Sequence, residues 1–301
     1  MVWSNEQGIT MPRLLQRNIC IENIERSARF YKEALDFSDV ASRNLEGPDV
    51  SKQMGISDVA LRTRLLKHPD GPVIQLMEFI KPEATGPRER RSTLQYGLVH
   101  LSFYVDDIDA AAHRIEKAGG YVFEQTRAHF SEGKTTLLYC TDPDGIRIEL
   151  MHNPDVPARF SHSGICVTDI DTSMQYYRAL GFEAAENYVL DQGYDWLGTI
   201  NEVPGIKLRA QMVRDAEGNV IELLKVFEPA SFGPRERGPL NRFGLTHLSF
   251  TDDAPDETIK RLDALGGRSF PENHVVTSEL EIQQVSDPDG VRIELIRKAT
   301  N

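Results

Sequence analysis

The chain has 301 residues, of which 40% are hydrophobic and 27% charged, and its formal net charge at pH 7 is -12. No window approaches the ~20 apolar residues of a membrane span, Met1–Arg13 lacks a signal-peptide pattern, and the spread of acidic residues argues against nucleic acid as a partner. We therefore expect a cytoplasmic protein that binds neither membrane nor nucleic acid, and the length favours two domains of about 150 residues.

Long stretches of the first half recur in the second. The recurring pairs are Asn18–Phe37 with Gly164–Phe182, Gly97–Phe103 with Gly244–Phe250, and Asp142–Leu150 with Asp287–Leu295. Offsets of 145 to 147 positions along the whole length indicate a tandem duplication. We place the boundary in a polar segment with two prolines, which predicts one domain at residues 1–157 and a second at residues 158–301.

Each half divides once more into two similar modules. A module begins with a strand and an acidic turn, continues with a helix, and ends with three short runs of strand type, such as VIQLMEF, TTLLYC and GIRIELM. The helix after His100 carries Ile108, Ala111, Ala112 and Ile115 at helical spacing. The paired glycines that follow it are typical of a helix end. The chain therefore predicts four β-α-β-β-β modules.

Strand alternation predicts which side chains share a face. In HLSFYVDD, His100 lies on the face opposite Leu101 and Phe103, and in DPDGIRIEL, Glu149 lies opposite Ile148 and Leu150. The apolar face has to pack under helices. The histidines and glutamates are thus expected on the other face, which in a strongly curved sheet lines a cleft.

These features together resemble a known family. Tandem βαβββ units with a histidine that opens a strand and a terminal DPDG-x-R-I-E-L are similar to the vicinal oxygen chelate superfamily, which includes glyoxalase I and extradiol dioxygenases. The resemblance implies an α+β fold in which four modules form two domains, each a curved mixed sheet around a cleft. It also implies a divalent metal ion, with ligands from the first and last strand of each module.

The ligands follow by position from this resemblance. In the second domain they are His162, Glu222, His247 and Glu294, and the ion they imply is Mn, Fe, Co, Ni or Zn. In the first domain the matching residues are Gln16, Gln75, His100 and Glu149. Because two of these are neutral amides, we expect a weak or empty site there.

This assignment assumes that consecutive modules close a cleft together. If the second and third modules paired instead, the ligands would be His100, Glu149, His162 and Glu222. Both arrangements contain His162 and Glu222. We favour sequential pairing, although the short connection between the third and fourth modules does not decide between the two.

Two histidines and two carboxylates suit a metal-dependent enzyme. The preferred hypothesis is an isomerase or lyase of glyoxalase or epimerase type that enolises a substrate with vicinal oxygens at the metal. Glu294 or Glu222 would shuttle the proton, and His274 is a candidate acid or base. The alternatives are an Fe(II) extradiol dioxygenase, which a fourth ligand at Glu222 disfavours, and a metal-free binding or resistance protein.

The expected partner is a small-molecule substrate, and a homodimer is a candidate assembly. Arg235, in the second copy of a repeated GPRER segment, suits a substrate carboxylate or phosphate because arginine binds such anions through two hydrogen bonds. Long loops within the modules are expected to shape the pocket. Their candidate contacts are Arg209, Trp196 and Tyr194.

Overall fold

The computed structural model describes residues 11–130, 134–235 and 238–298. Two segments used in the sequence analysis lie partly outside these ranges. They are the N-terminal segment inspected for a signal peptide, of which residues 1–10 are not described, and the second GPRER copy, of which residues 236–237 are not described. The elements of the first module are β1 (Arg13–Ile21), α1 (Ile24–Leu35), β2 (Ser38–Glu46), α2 (Pro48–Met54), β3 (Ala60–Lys67) and β4 (Val73–Lys81). Those of the second are β5 (Gly97–Tyr104), α3 (Ile108–Lys117), β6 (Tyr121–Val122), β7 (Ala128–Phe130), β8 (Thr135–Thr141) and β9 (Arg147–His152).

The second half repeats this order. The third module contains β10 (Arg159–Cys166), α4 (Ile170–Ala179), β11 (Glu183–Leu190), α5 (Asp195–Asn201), β12 (Lys207–Arg214) and β13 (Val220–Glu228). The fourth contains β14 (Gly244–Thr251), α6 (Pro255–Ala264), β15 (Arg268–Ser269), β16 (Val275–Val276), β17 (Leu280–Ser286) and β18 (Arg292–Lys298). Within the described ranges, no helix has the length and apolar character needed to cross a bilayer.

The strands form two nine-stranded sheets, each built from both halves of the chain. In one, which we call the 2/3 sheet, β5 of the second module pairs antiparallel with β10 of the third. In the other, the 1/4 sheet, β1 of the first module pairs antiparallel with β14 of the fourth. The expectation of sequential pairing is therefore wrong. The predicted α+β class with four βαβββ modules is confirmed.

The two faces of each sheet have different environments, as strand alternation predicts. On one face, Leu101, Phe103, Ile148 and Leu150 join a single large core with the helices. On the opposite face of the 2/3 sheet, Tyr139 belongs to a smaller apolar cluster with residues of α5. The histidines and glutamates of the repeats lie on this second, concave face.

The helices and the DPDG turns connect the two modules of one half. In the first half, the hydroxyl of Tyr31 on α1 donates to Asp142 at 3.0 Å, and in the second half Tyr177 on α4 donates to Asp287 at 3.0 Å. Both tyrosines are fully buried. Consecutive modules thus share a helix interface, whereas the cleft-forming strands come from modules of different halves.

Candidate metal centre

The strand pairing of the 2/3 sheet brings four polar side chains to one point of the concave face. β5 runs parallel to β9, with Ser102 beside Glu149, and β10 runs parallel to β13, with Gly164 beside Glu222. The antiparallel ladder between β5 and β10 places His162 opposite Ser102. The first and last strand of each module are therefore neighbours. The strand pairs β5/β9 and β10/β13 meet at the centre of the sheet, where β5 lies beside β10.

The donor atoms of these side chains converge. The Nε2 atoms of His100 and His162 lie 3.1 Å apart. Oε2 of Glu222 is 3.5 Å from Nε2 of His100 and 3.4 Å from that of His162, and Oε2 of Glu149 is 3.9 and 3.6 Å from the same two atoms. His100, Glu149 and His162 form a group whose ligand atoms all lie within 4.8 Å of one another.

This donor set fits a divalent ion. Ligand atoms about 2.1 Å from one ion and at right angles to each other are separated by about 3.0 Å, close to the imidazole–imidazole distance. Imidazole and carboxylate are the usual protein ligands of divalent first-row metals. A neutral imidazole is required for coordination, and burial, with additional effects of His162 and Arg147, lowers the pKa of His100 to about 3.

Burial and the neighbouring charges also shift the pKa values of His162, Glu222 and Glu149. Burial disfavours the charged form of His162, but the adjacent carboxylates, Glu222 above all, outweigh it and raise the pKa of His162. The same contact with His162 lowers the pKa of Glu222 against the effect of burial. Burial raises the pKa of Glu149, whose Oε2 accepts a hydrogen bond of 2.8 Å from the hydroxyl of Ser102.

A glycine makes room for one of the imidazoles. Gly164 stands directly opposite His100 in the ladder between β10 and β5. A Cβ atom at Gly164 would lie 2.2 Å from Cε1 and 2.5 Å from Nδ1 of the His100 ring. The absence of a side chain at this position therefore allows the ring to lie flat against the neighbouring strand and to point Nε2 at His162.

The concave face of the 1/4 sheet carries the other four candidate ligands, and two of them are neutral amides. The four are Gln16, Gln75, His247 and Glu294. Nε2 of Gln16 donates to Oε1 of Gln75 at 2.6 Å, and Nε2 of His247 lies 3.9 Å from Glu294. Asn18 stands at the position equivalent to Gly164, and its buried amide bonds with Gln16 and with Ser249. Amide hydrogen bonds thus occupy the centre of this cleft.

A helix of the first module also reaches into the 1/4 cleft. Gln53, near the end of α2, donates to Oε1 of Glu294 at 2.7 Å, while Ser249 donates to Oε2 of the same carboxylate at 2.9 Å. Both oxygens of Glu294 are therefore engaged by neutral donors. The four residues predicted as one site, His162, Glu222, His247 and Glu294, are divided between two sheets, because β10 pairs with β5 and not with β14.

Three further candidates lie away from the four converging groups of the 2/3 sheet. Nε2 of His274 is 2.9 Å from Oε1 of Glu281 in the 1/4 sheet. Arg235 is exposed, donates to the carbonyl of Pro288 and lies 3.4 Å from Asp289, so it supports the fourth module's DPDG turn. Arg209 points to the helix side of β12, where it pairs with Asp171 of α4 at 3.3 Å.

The two aromatic candidates do lie at the 2/3 cleft. Tyr194 and Trp196, at the start of α5, are half-buried against the apolar cluster of the concave face, with their ring centroids 6.2 Å apart. The ring of Trp196 also packs on Phe130 at 4.9 Å. A wall of apolar and aromatic side chains thus borders the four converging polar groups.

Two further residues lie beside this site. The sequence already pointed to Tyr139, at the first-half position of the tyrosine expected of extradiol dioxygenases, but not to Arg159. Tyr139, on β8, lies across the ladder from Glu149, with its ring centroid 6.1 Å from that of His100. Arg159, which opens β10 opposite Tyr104, lies over the Tyr104 ring at 5.0 Å. The spacing of Arg159, three before His162, would have indicated it only once β10 was known to pair with β5.

Comparisons with known proteins agree with this architecture. The model of the family "Glyoxalase/Bleomycin resistance protein/Dioxygenase superfamily" matches residues 13–150 and again residues 159–295. The chain belongs to this superfamily. Its four modules are thus two glyoxalase-like domains, and the recognition based on the repeated motif is confirmed.

Individual relatives are distant. A lactoylglutathione lyase from Neisseria meningitidis is 26% identical over 140 residues, which are 46% of this chain and 89% of the relative. A probable chloroplastic lactoylglutathione lyase from Arabidopsis thaliana is 28% identical over 88 residues, 29% of this chain and only 25% of the plant protein. One half of this glyoxalase-superfamily member therefore corresponds to nearly the whole of the bacterial enzyme.

Solved structures share the fold at low identity. Glyoxalase I from Zea mays aligns over 95% of this chain and 92% of the maize chain, with a TM-score of 0.69 and 17% identity. A putative dioxygenase from Bacillus subtilis aligns over 97% and 86%, with a TM-score of 0.57 and 13% identity. The fold of the whole chain is therefore shared with these two solved structures.

Proposed function

We propose that this protein is a divalent-metal-dependent lyase or isomerase of glyoxalase type, with a single metal centre formed by His100, Glu149, His162 and Glu222. The observation that carries the proposal is the convergence of two imidazoles and two carboxylates on the concave face of the 2/3 sheet. When bound there, a divalent ion would act as a Lewis acid toward a substrate carbonyl with a vicinal oxygen.

The protein's own groups would handle the proton. We assign the general base to Glu149, because Glu222 lies within 3.5 Å of both imidazoles whereas Glu149 is 3.6 and 3.9 Å from them. Ser102 holds the Oε2 atom of Glu149 by its hydroxyl hydrogen bond. Glu149 would take the proton from the carbon beside the carbonyl and return it to the neighbouring carbon, which gives an isomerised product.

The cleft favours a substrate with an apolar body and a negative group. Trp196 and Tyr194 offer an apolar wall. Arg159 is half-buried over Tyr104 and, among the described residues, forms no ion pair. A guanidinium in this position suits a substrate carboxylate. We expect Arg159→Ala to raise KM about tenfold with little change in kcat, because the contact is made equally in the ground and transition states.

Metal content and turnover should be measured separately. The test substrates are adducts of a 2-oxoaldehyde with a thiol. Activity should disappear with a chelator and return with one of Mn, Fe, Co, Ni or Zn. Glu149→Gln should retain metal but lose turnover by about 100-fold or more. Full activity in metal-free protein would refute the proposal. Absence of both bound metal and turnover would instead support the alternative of a metal-free binding protein.

One observation favours a second candidate, an Fe(II) extradiol dioxygenase. Tyr139 is buried beside the site, with its ring 6.1 Å from His100. A tyrosine near the metal is expected of that class, whereas the carboxylate of Glu222 as a fourth ligand is not. Oxygen consumption with catechols after anaerobic Fe(II) loading separates the two candidates, because enolisation consumes no oxygen.

A further inference from the structure

A separate cavity of about 330 Å³ lies where the segments that connect the modules of each half meet. These two connecting segments pair with each other: Thr85 N donates to the carbonyl of Asn241, and Tyr96 N donates to that of Phe232. The cavity lies between them and against the first half's DPDG turn. Its size is at the lower end of small-molecule sites.

The cavity is basic in an otherwise acidic protein. Among the described residues, four arginines line it, namely Arg90, Arg91, Arg147 and Arg242, and of these Arg90 is already paired with Glu202. The lining carboxylates are Glu89, which is exposed, and Asp144, which is already paired with Arg26 at 2.7 Å. Once the Arg90–Glu202 and Arg26–Asp144 pairs are set aside, Arg91, Arg147, Arg242 and Glu89 leave the described lining with a surplus of two positive charges, in a chain whose formal net charge is -12.

Two of these guanidinium groups have buried nitrogens with no hydrogen-bond partner in the described part of the chain. They are Nη1 of Arg147 and Nη1 of Arg90. Arg147 is 4% exposed, its Nε donates to the carbonyl of Arg91, and its Cζ lies 4.4 Å from the Tyr139 ring centroid. Leaving a buried charged donor unsatisfied is costly, and the Arg147 guanidinium, which has no carboxylate partner among the described residues, adds to the positive potential at the cavity.

The arginines are held in place before any ligand binds. Arg91 donates from Nη2 to the carbonyl of Tyr96 and from Nε to Gln95. The backbone of the same segment packs on the DPDG turn so closely that a Cβ at Gly145 would lie 2.8 Å from the carbonyl oxygen of Arg88. This fixed geometry lowers the ordering cost of binding.

The two copies of the repeated connecting segment differ at the arginines that line the cavity. The segment GPRERRSTLQYG (residues 86–97) aligns with GPRERGPLNRFG (residues 233–244), so Arg91 corresponds to Gly238, and Arg242 corresponds to Gln95. Each half thus supplies an arginine where the other has a neutral residue. Both arginines line the same cavity.

We propose that this cavity is a binding site for a phosphate-bearing small molecule, separate from the metal centre. The guanidinium groups of Arg91, Arg147 and Arg242, which have no carboxylate partner among the described residues, suit the several oxygens of a phosphate, which accept paired N–H donors. A phosphate dianion would also balance the surplus of two positive charges. The bound ligand would contact both halves, since three arginines come from the first half and Arg242 from the second.

The test uses the full-length protein with pyrophosphate and inorganic phosphate, at constant ionic strength set by chloride. Calorimetric titration should show saturable binding at one site, and above the Kd the melting temperature should keep rising with the logarithm of the ligand concentration. Arg91→Gly and Arg242→Gln introduce the residue types that the other half carries, and each should weaken binding at least tenfold. Arg235→Gln, at an exposed position outside the cavity, is the matched control and should bind as the parent does.

Three outcomes would overturn the proposal. The first is the absence of saturable binding of either phosphate probe to the parent protein. The second is unchanged affinity in both Arg91→Gly and Arg242→Gln, each confirmed as folded by circular dichroism. The third is equal affinity for succinate, which would assign the cavity to dicarboxylates.

Discussion

Single residues decide which of the two clefts can hold a metal ion. In the 2/3 sheet, His100, His162, Glu149 and Glu222 converge, whereas in the 1/4 sheet Gln16 and Gln75 bond to each other. The family resemblance implied every residue of both sets, because its motifs and their spacing can be matched locally along the sequence. It could not assign them to clefts, because their convergence depends on contacts between strands far apart in the chain.

The first residue-scale prediction compares two histidines of the repeat. His100→Ala should lose bound metal and reduce activity by more than about 100-fold, since even outer-shell partners of metal ligands contribute 10–100-fold. His247→Ala removes the equivalent side chain from the 1/4 cleft and should retain both metal and activity. Metal analysis and steady-state kinetics of the two variants check this. A loss of metal in His247→Ala alone would contradict it.

The second concerns the glycine opposite His100. Gly164→Ala places a methyl group against the imidazole ring, so we expect at least tenfold weaker metal binding and a loss of about 1–3 kcal/mol in the free energy of unfolding. Asn18→Ala alters the equivalent position of the 1/4 sheet. It should lower stability because Gln16 and Ser249 lose a partner, but metal affinity should not change. Metal titration and urea unfolding of both variants test the pair.

At the scale of elements, the DPDG turns do more than reverse the chain. Gly145 and Gly290 have φ values of +84° and +83°, which fits the turn role predicted from the sequence. The first aspartate of each turn, in addition, receives a hydrogen bond from a tyrosine on the helix of the preceding module. That contact joins two modules, and no local pattern in the sequence indicates it.

The burial of this aspartate makes stability depend on pH. Burial raises the pKa of Asp287 to about 7, although hydrogen bonds from Val291, Asp289 and Tyr177 favour the carboxylate. The folded state then binds more protons than the unfolded state between about pH 4 and pH 7, so this group's contribution to stability falls as pH rises through that range.

The variant Asp287→Asn should lack this dependence. Between pH 5 and pH 7, the parent's free energy of unfolding should fall by about 2 kcal/mol relative to that of the variant. Urea unfolding of metal-free protein at the two pH values gives the difference, and metal removal keeps the titration of the cleft ligands the same in both proteins. A difference that grows in the opposite direction would show that the ionised form is the stable one in the fold.

At the scale of the whole molecule, the two halves are complementary. Arg17 of the first half is 1% exposed and donates from Nε to Ser163, which occupies the equivalent position in the second half. It lies over Phe160 at 5.0 Å. In a homodimer of two first halves, Arg17 would face a second Arg17, and two buried like charges would repel each other. In a homodimer of two second halves, Ser163 would face a second Ser163.

Separate expression of the halves tests this arrangement. A fragment of residues 158–301 exposes the edges of β10 and β14 that otherwise pair with β5 and β1. We expect it to dimerise by pairing β10 of one copy with β14 of the other. That dimer would bring together His162, Glu222, His247 and Glu294, and it should bind metal. Residues 1–157 should bind metal more weakly, because their own set contains Gln16 and Gln75, and should not form a stable dimer. Sedimentation and metal analysis of each half decide between these outcomes.

The candidate metal ligands were implied by the resemblance to a family. The sequence by itself determined the α+β modules, the duplication and the face to which each polar side chain points. These follow from strand alternation, turn chemistry and motif spacing, all of which act over a few residues. Tertiary structure alone decided the pairing. The strands β5 and β14 read GLVHLSFY and GLTHLSFT, so they offer β10 nearly the same edge, and the choice rests on long-range packing such as that of Arg17 between the halves.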